Sequence, residues 1–170
     1  MGKILIVSDS HGLTNELKQL KEKNKGEVDY MIHCGDSELY ANDPILEDFL
    51  IVRGNCDYEA NFPNDRTENI EGMNVFITHG HRYSVKTSLM SLLYRAQELD
   101  AKIVCFGHSH VVGAEMIRGI LFLNPGSICL PRGRQERTYM VLDVKQNDIE
   151  LRVYDFDNGE IEELRQRFVL

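Results

Sequence analysis

Four consecutive β-formers at residues 4–7 run straight into Ser8, Asp9, Ser10, His11 and Gly12, so an apolar stretch stops abruptly at charged and small residues. The same pattern recurs four more times. Apolar runs at 30–34, 49–53, 74–79 and 103–106 end at Gly35-Asp36, at Gly54-Asn55-Cys56-Asp57, at Gly80-His81 and at Gly107-His108-Ser109-His110. Unbroken runs of this length suit central strands covered on both faces, as in parallel sheets. After the first run, Leu13, Leu17 and Leu20 share one face of a helix that Thr14 can cap, which makes the opening a strand-turn-helix unit. Residues 37–48 are acidic and contain Pro44, and residues 58–69 are polar and contain Pro63, so both stretches read as loops. Residues 67–71 and 74–79 flank Gly72 as a hairpin, and Val85, Leu89, Leu92, Leu93, Ala96 and Leu99 follow the three-four repeat of a helix over 85–99.

The organisation changes after His110. Residues 111–116, 120–123, 138–144 and 149–154 are strand-like with no long helix between them, the last pair turning at Gln146-Asn147, which is meander behaviour. A front half alternating strand and helix with a strand-rich back half predicts an α/β fold in which two mixed sheets pack face to face and helices cover the outer faces. With no internal repeat or break, residues 1–170 read as one domain. The last thirteen residues fit a strand or a helix equally.

Composition narrows the picture by exclusion. The chain is 42% hydrophobic and 27% charged with four prolines, which is ordinary for a globular protein. A formal charge of −8 argues against a partner such as long nucleic acid, whose phosphates are bound through Lys and Arg. Cys34, Cys56, Cys105 and Cys129 form no C-x-x-C pair; reduced, mostly buried thiols in the cytoplasm are expected. The N-terminal apolar run is too short for a signal peptide or a membrane span.

The run ends carry the chemistry. Five of the six histidines, His11, His79, His81, His108 and His110, fall there, together with Asp9, Asp36, Asp57 and Asn55. With period-two alternation, Asp9 and His11 project to one side just past the first strand. Ligands in open α/β sheets collect outside the carboxyl ends of strands, so all five clusters converge. Nine donors are too many for one tetrahedral zinc but suit two divalent ions. Imidazole with carboxylate favours Mn²⁺, Fe, Zn²⁺ or Ni²⁺ over Ca²⁺ or Mg²⁺. His33, inside the second strand, reads as a core or supporting histidine, and Arg132, Arg134 and Arg137 as a solvated loop within reach of a substrate phosphate.

In order and spacing, Asp9-x-His11, Gly35-Asp36, Gly54-Asn55-x-Asp57, His79-Gly80-His81 and Gly107-His108-x-His110 resemble the five motifs of the calcineurin-like metallophosphoesterases. The HCGDS and GNCD forms and the late Asn124-Pro125-Gly126-Ser127 resemble the small YfcE-type phosphodiesterases of that superfamily. The resemblance implies that Asp9, His11 and His110 hold one metal, that Asn55, His79 and His108 hold a second, and that Asp36 bridges them. Two divalent ions, Mn²⁺ first among them, would then present a bridging hydroxide to a small phosphodiester. Asp36, Asn55, His81 and Asp57 make up the catalytic set, His81 on the substrate phosphate. One position departs from most of the superfamily: the residue after Asn55, usually a histidine that protonates the leaving group, is Cys56, and Asp57 replaces that acid only if its pKa is raised. A phosphomonoesterase or nuclease of the same superfamily remains open, as does an interaction scaffold like the retromer subunit that shares the fold; a homo-oligomer is also open.

Overall fold

The computed structural model describes residues 2–170. In chain order its elements are β1 (Gly2–Val7), α1 (Asn15–Asn24), β2 (Tyr30–His33), β3 (Phe49–Ile51), β4 (Asp65–Ile70), β5 (Met73–Thr78), α2 (Met90–Glu98), β6 (Ile103–Cys105), β7 (Gly113–Ile117), β8 (Ile120–Asn124), β9 (Thr138–Lys145), β10 (Asp148–Asp155), β11 (Gly159–Glu160) and β12 (Gln166–Val169). One sheet has the order β11-β10-β9-β1-β2-β3, with β12 also on β10, and the other has the order β4-β5-β6-β8-β7. Strands β1, β2 and β3 are mutually parallel, as are β5, β6 and β8.

Alternation along each strand decides what it touches. Ile4, Ile6, Val75, Ile77, Ile103, Cys105, Leu121 and Leu123 fill the space between the sheets, with Met140 and Leu142 of β9. The intervening Leu5, Val7 and Tyr139 pack with Leu17 and Leu20 of α1, while Phe76, Val104 and Phe122 pack with Leu92, Leu93 and Ala96 of α2. The layers therefore run helix, sheet, sheet, helix, the arrangement predicted from the pattern.

Several boundaries differ from expectation, each for a local reason. The back half does not form a sheet of its own: β7 and β8 complete the second sheet, and β9 returns to the first. Its register against β1 sets Met140 opposite Ile6 and Leu142 opposite Ile4, which buries its apolar row on the shared inner face. Strand β4 begins at Asp65, inside the stretch expected to be loop. It is an edge strand, and its polar Arg66 and Glu68 pair with one another at 2.8 Å, so its pattern is not apolar. Helix α2 starts at Met90 rather than at 85, because Ser84 takes a left-handed conformation (φ +53°) and a turn follows; Val85 and Leu89 still pack in the outer layer. Thr14 stands at the entry of α1 without a side-chain capping bond. The C-terminal stretch resolves into a short 3-10 turn and β12. Among the described residues, no helix is long and apolar enough to cross a membrane.

Candidate metal centre

The loops after β1, β2, β3, β5, β6 and β8 meet at the carboxyl ends of the parallel strands. Past its last residue, β1 does not stay extended. Asp9 (φ +54°), His11 (φ +43°), Asp36 (φ +57°), His108 (φ +69°) and His110 (φ +60°) are all left-handed. Asp, Asn and His tolerate that region best among non-glycine residues, yet each still costs on the order of 1–3 kcal/mol. Asp9 and His11 thus converge through a turn rather than through strand alternation. Backbone bonds keep the loops in register beyond the ladder: the N–H groups of Asp9 and His11 donate to Gly35 and Asp36 carbonyls (3.0 and 2.9 Å), and that of Gly107 to the His79 carbonyl (3.0 Å). A Cβ at Gly54 would collide with the Asp36 carboxylate, and one at Gly107 with Ser8 and Asp9, so glycine is required for space at both positions.

Three imidazoles are tied down on one nitrogen and turn the other inward. His79 Nδ1 donates to the Cys34 carbonyl at 2.7 Å, and His110 Nδ1 to the Leu130 carbonyl at 2.7 Å. His11 Nδ1 meets Glu38 Oε2 at 3.2 Å. Their Nε2 atoms surround Asp9 Oδ1 at 3.1 Å (His110), 3.7 Å (His11) and 3.8 Å (His79). That oxygen is buried and accepts no hydrogen bond, while Asp9 Oδ2 accepts from Ser8 Oγ (2.5 Å) and the His108 N–H (3.1 Å). His79 Nε2 also lies 3.2 Å from Asp36 Oδ2 and 3.0 Å from Asn55 Oδ1. Ligating atoms of Asp9, His11 and His110, of Asp9, Asp36 and His79, and of His11, Asp36 and Cys56 each fall within 4.8 Å of one another. An unpartnered buried carboxylate oxygen ringed by inward imidazole nitrogens fits a cation, and anchored Nδ1 atoms are how metal-binding histidines are oriented.

The electrostatics agree. Burial opposes ionisation of Asp9, but the adjoining His110 imidazole and the charge of His79 win, and its carboxyl is held below the usual range. Asp36 likewise overcomes burial through His79 and falls to about 2. His110 is raised by the Asp9 carboxylate beside it; His79 is raised by Asp36 and Asp9 against the cost of its burial. His108 drops to about 4, through burial first and then the charges of His79 and Lys86.

The remaining residues sort by what they touch. The His108 and His81 rings lie 5.1 and 5.3 Å from that of His79, so both join its side of the cleft. Burial and then the charge of His79 push His81 down. Cys56 donates its N–H to Asp36 Oδ1 at 2.8 Å, and burial followed by the Asp36 charge pushes its thiol up to about 11. Asp57 accepts from the N–H groups of Asp36 (2.9 Å), Gly54 (2.7 Å) and Glu38 (2.8 Å), so its carboxylate braces the second and third loops. His33 accepts the Gly35 N–H on Nδ1 (3.1 Å), so Nε2 carries the proton toward Ser10 Oγ (2.8 Å). Cys34 and Cys105 are buried as expected, but Cys129 is half-exposed. Two supports differ in how far the sequence showed them. The Asn124-Pro125-Gly126-Ser127 turn was legible as a support near the site, but its contact is the Ser127 hydroxyl, whose Oγ donates to the Asp9 carbonyl at 2.7 Å; Glu38 sits in an acidic loop with no distinguishing signal and went unread.

This geometry has relatives. Residues 2–147 match the family described as the calcineurin-like phosphoesterase superfamily domain, and the chain belongs to that superfamily. The probable metallophosphoesterase YsnB of Bacillus subtilis is 44% identical over 167 residues, covering 98% of this chain and 99% of that protein. Phosphodiesterase YfcE of Escherichia coli is 32% identical over 108 residues, 59% of this chain and 53% of that one. Among solved structures, a predicted phosphoesterase from Streptococcus pneumoniae superposes with a TM-score of 0.95 at 33% identity over 99% of this chain and 98% of that one. Vps29 from Cryptosporidium parvum, at TM-score 0.80 and 21% identity over 99% and 98%, shares the fold alone.

Proposed function

We propose that this phosphoesterase is a phosphodiesterase that works with two divalent ions, Mn²⁺ foremost. The observation that carries the reading is Asp9 Oδ1, buried, unpartnered and ringed by three inward imidazoles. Asp9, His11 and His110 would hold one ion and Asn55, His79 and His108 the other, with Asp36 shared. The shared role is supported by the place of Asp36 in two ligand groupings, one with His11 and one with His79. Bound ions supply positive charge for phosphoryl oxygens and make water acidic enough to serve as a nucleophile near neutral pH.

The chain's own residues set what that site prefers. Asn55 contributes an oxygen without a charge, so two carboxylates face the ions and the centre keeps a positive excess suited to a singly charged diester. His81, half-buried beside His79 and His108, faces the substrate side. Cys56 is a poor proton donor, and Asp57 has its oxygens engaged by backbone N–H groups, which leaves the leaving group without a positioned acid. Every ligand position of the family motifs is filled, which favours an enzyme over a scaffold.

The test is a panel on manganese-loaded protein. An aryl methyl phosphate should be cleaved with higher kcat/KM than the matched aryl monoester, and chelation should abolish turnover until Mn²⁺ is restored. Across graded aryl leaving groups the rate should depend steeply on leaving-group pKa and flatten in Cys56→His, since a general acid is worth roughly 10²–10⁴ in rate. A preferred monoester would make the protein a phosphatase. A shallow dependence that turns steep in His81→Ala would make His81 the acid.

A further inference from the structure

Nineteen Lys and Arg against twenty-seven Asp and Glu leave the chain at −8, so cations near the cleft that are not already paired carry weight for an anionic substrate. The loop after β8 holds three arginines, and two are committed elsewhere. Arg134 donates twice to Glu136 (3.0 and 3.2 Å), and Arg137 twice to Asp157 (2.8 and 3.1 Å) while lying 4.8 Å over the Phe156 ring. Arg132 is exposed and forms no ion pair with any described residue.

Its position is nevertheless fixed to the metal centre. The Arg132 N–H donates to the His110 carbonyl at 3.0 Å, and two residues earlier the Leu130 carbonyl receives His110 Nδ1. Ser127 Oγ, which donates to the Asp9 carbonyl, accepts the Cys129 and Leu130 N–H groups at 3.1 and 2.8 Å. This turn is therefore hung on two ligands, and a free guanidinium stands at its end, its backbone fixed directly to His110. Glu38, the acid on His11, is engaged there at 3.2 Å. Asp9 and Asp36 against two divalent ions already leave a positive excess for the scissile phosphoryl, so a rim arginine is left to read groups beyond it. A planar guanidinium suits a carboxylate or phosphate in a two-pronged contact.

We infer that Arg132 determines specificity by binding a second anionic group carried on the ester substituent of the substrate. The inference rests on the phosphodiesterase reading above, and the experiment separates the two. Three para-nitrophenyl ethyl phosphodiesters are compared on manganese-loaded protein: one with an unmodified ethyl group, one with a terminal carboxylate and one with a terminal phosphonate. Wild type should favour the terminally charged esters by roughly tenfold through KM, as one charge-assisted contact would give. The two charged esters show which anion is read. Arg132→Gln should erase the preference, Arg132→Lys should restore part of it, and Arg134→Gln should match wild type. Calorimetric titration with alkylphosphonate monoesters of the same charges, which have no aryl leaving group, should give the same order of affinities. A preference that survives Arg132→Gln, or an equal loss on all three esters, would overturn the inference. If wild type cleaves none of the esters yet binds the charged phosphonates more tightly through Arg132, the phosphodiesterase reading falls and the anion site stands.

Discussion

His33 shows how a residue that bonds to no candidate ligand side chain can still hold the site. It is fully buried, and its two nitrogens connect Ser10, between Asp9 and His11, to Gly35, beside Asp36. The bond from the Gly35 N–H requires an unprotonated Nδ1, and burial, outweighing nearby carboxylates, lowers the pKa of the ring to about 4. An unfolded histidine titrates near 6.5. Between those values the unfolded chain binds a proton that the folded chain refuses. The stability from this group is therefore complete above about pH 6.5 and is lost as pH falls toward 4, amounting to ~3 kcal/mol. Urea unfolding in chelator at pH 7 and pH 4 should show wild type losing about that much more than His33→Gln, whose amide can replace both bonds. Parallel losses in the two proteins would mean that His33 is not the group responsible. The sequence showed this histidine inside a strand; which nitrogen it offers to which loop depends on contacts across 23 residues, and no local pattern encodes those.

The elements that position the ligands were legible because burial on both faces forces continuous apolar runs, and β1, β2, β3, β5 and β6 all have them. Edge elements were not. Strand β4 needs only one apolar face, and β9 looks the same whether it joins the second sheet or returns to β1. The loops of the candidate site were legible as residue types but not as shapes, since left-handed backbone at five candidate ligand positions has no signature beyond a tolerance for Asp and His. The turn after β8 illustrates the gap most sharply. Ser127 binds the Asp9 carbonyl and two N–H groups, so a single hydroxyl joins that turn to the β1 loop. Removing such a support typically costs 10–100-fold in metal affinity or activity. Ser127→Ala should therefore weaken Mn²⁺ binding by about tenfold in calorimetric titration while circular dichroism stays native. An unchanged affinity would reduce Ser127 to a turn residue.

Each sheet supplies part of the proposed ligand set. Asp9, His11, Asp36 and Asn55 follow strands of the first sheet, and His79, His108 and His110 follow strands of the second, so Asp36 facing His79 is a contact between the sheets. Left without cations, the cleft gathers carboxylates and left-handed backbone that cost stability, and an ion bound there can act as a clasp between the two layers. Ligand binding to the folded state alone adds RT ln(1 + [L]/Kd), ~2.7 kcal/mol at a hundredfold excess over Kd. For a chain of this length that corresponds to roughly 5–10 °C in Tm. Calorimetric melting should thus show a single transition that moves up by about that amount with Mn²⁺ and returns with chelator. Asp36→Ala should abolish most of the shift and most of the turnover if its carboxylate is shared by both ions as proposed, whereas His108→Ala should keep part of each. Full activity in Asp36→Ala with none in His108→Ala would refute the sharing. A metal-dependent shift confined to one of two resolved transitions would show that the ions stabilise one sheet and do not tie the layers together.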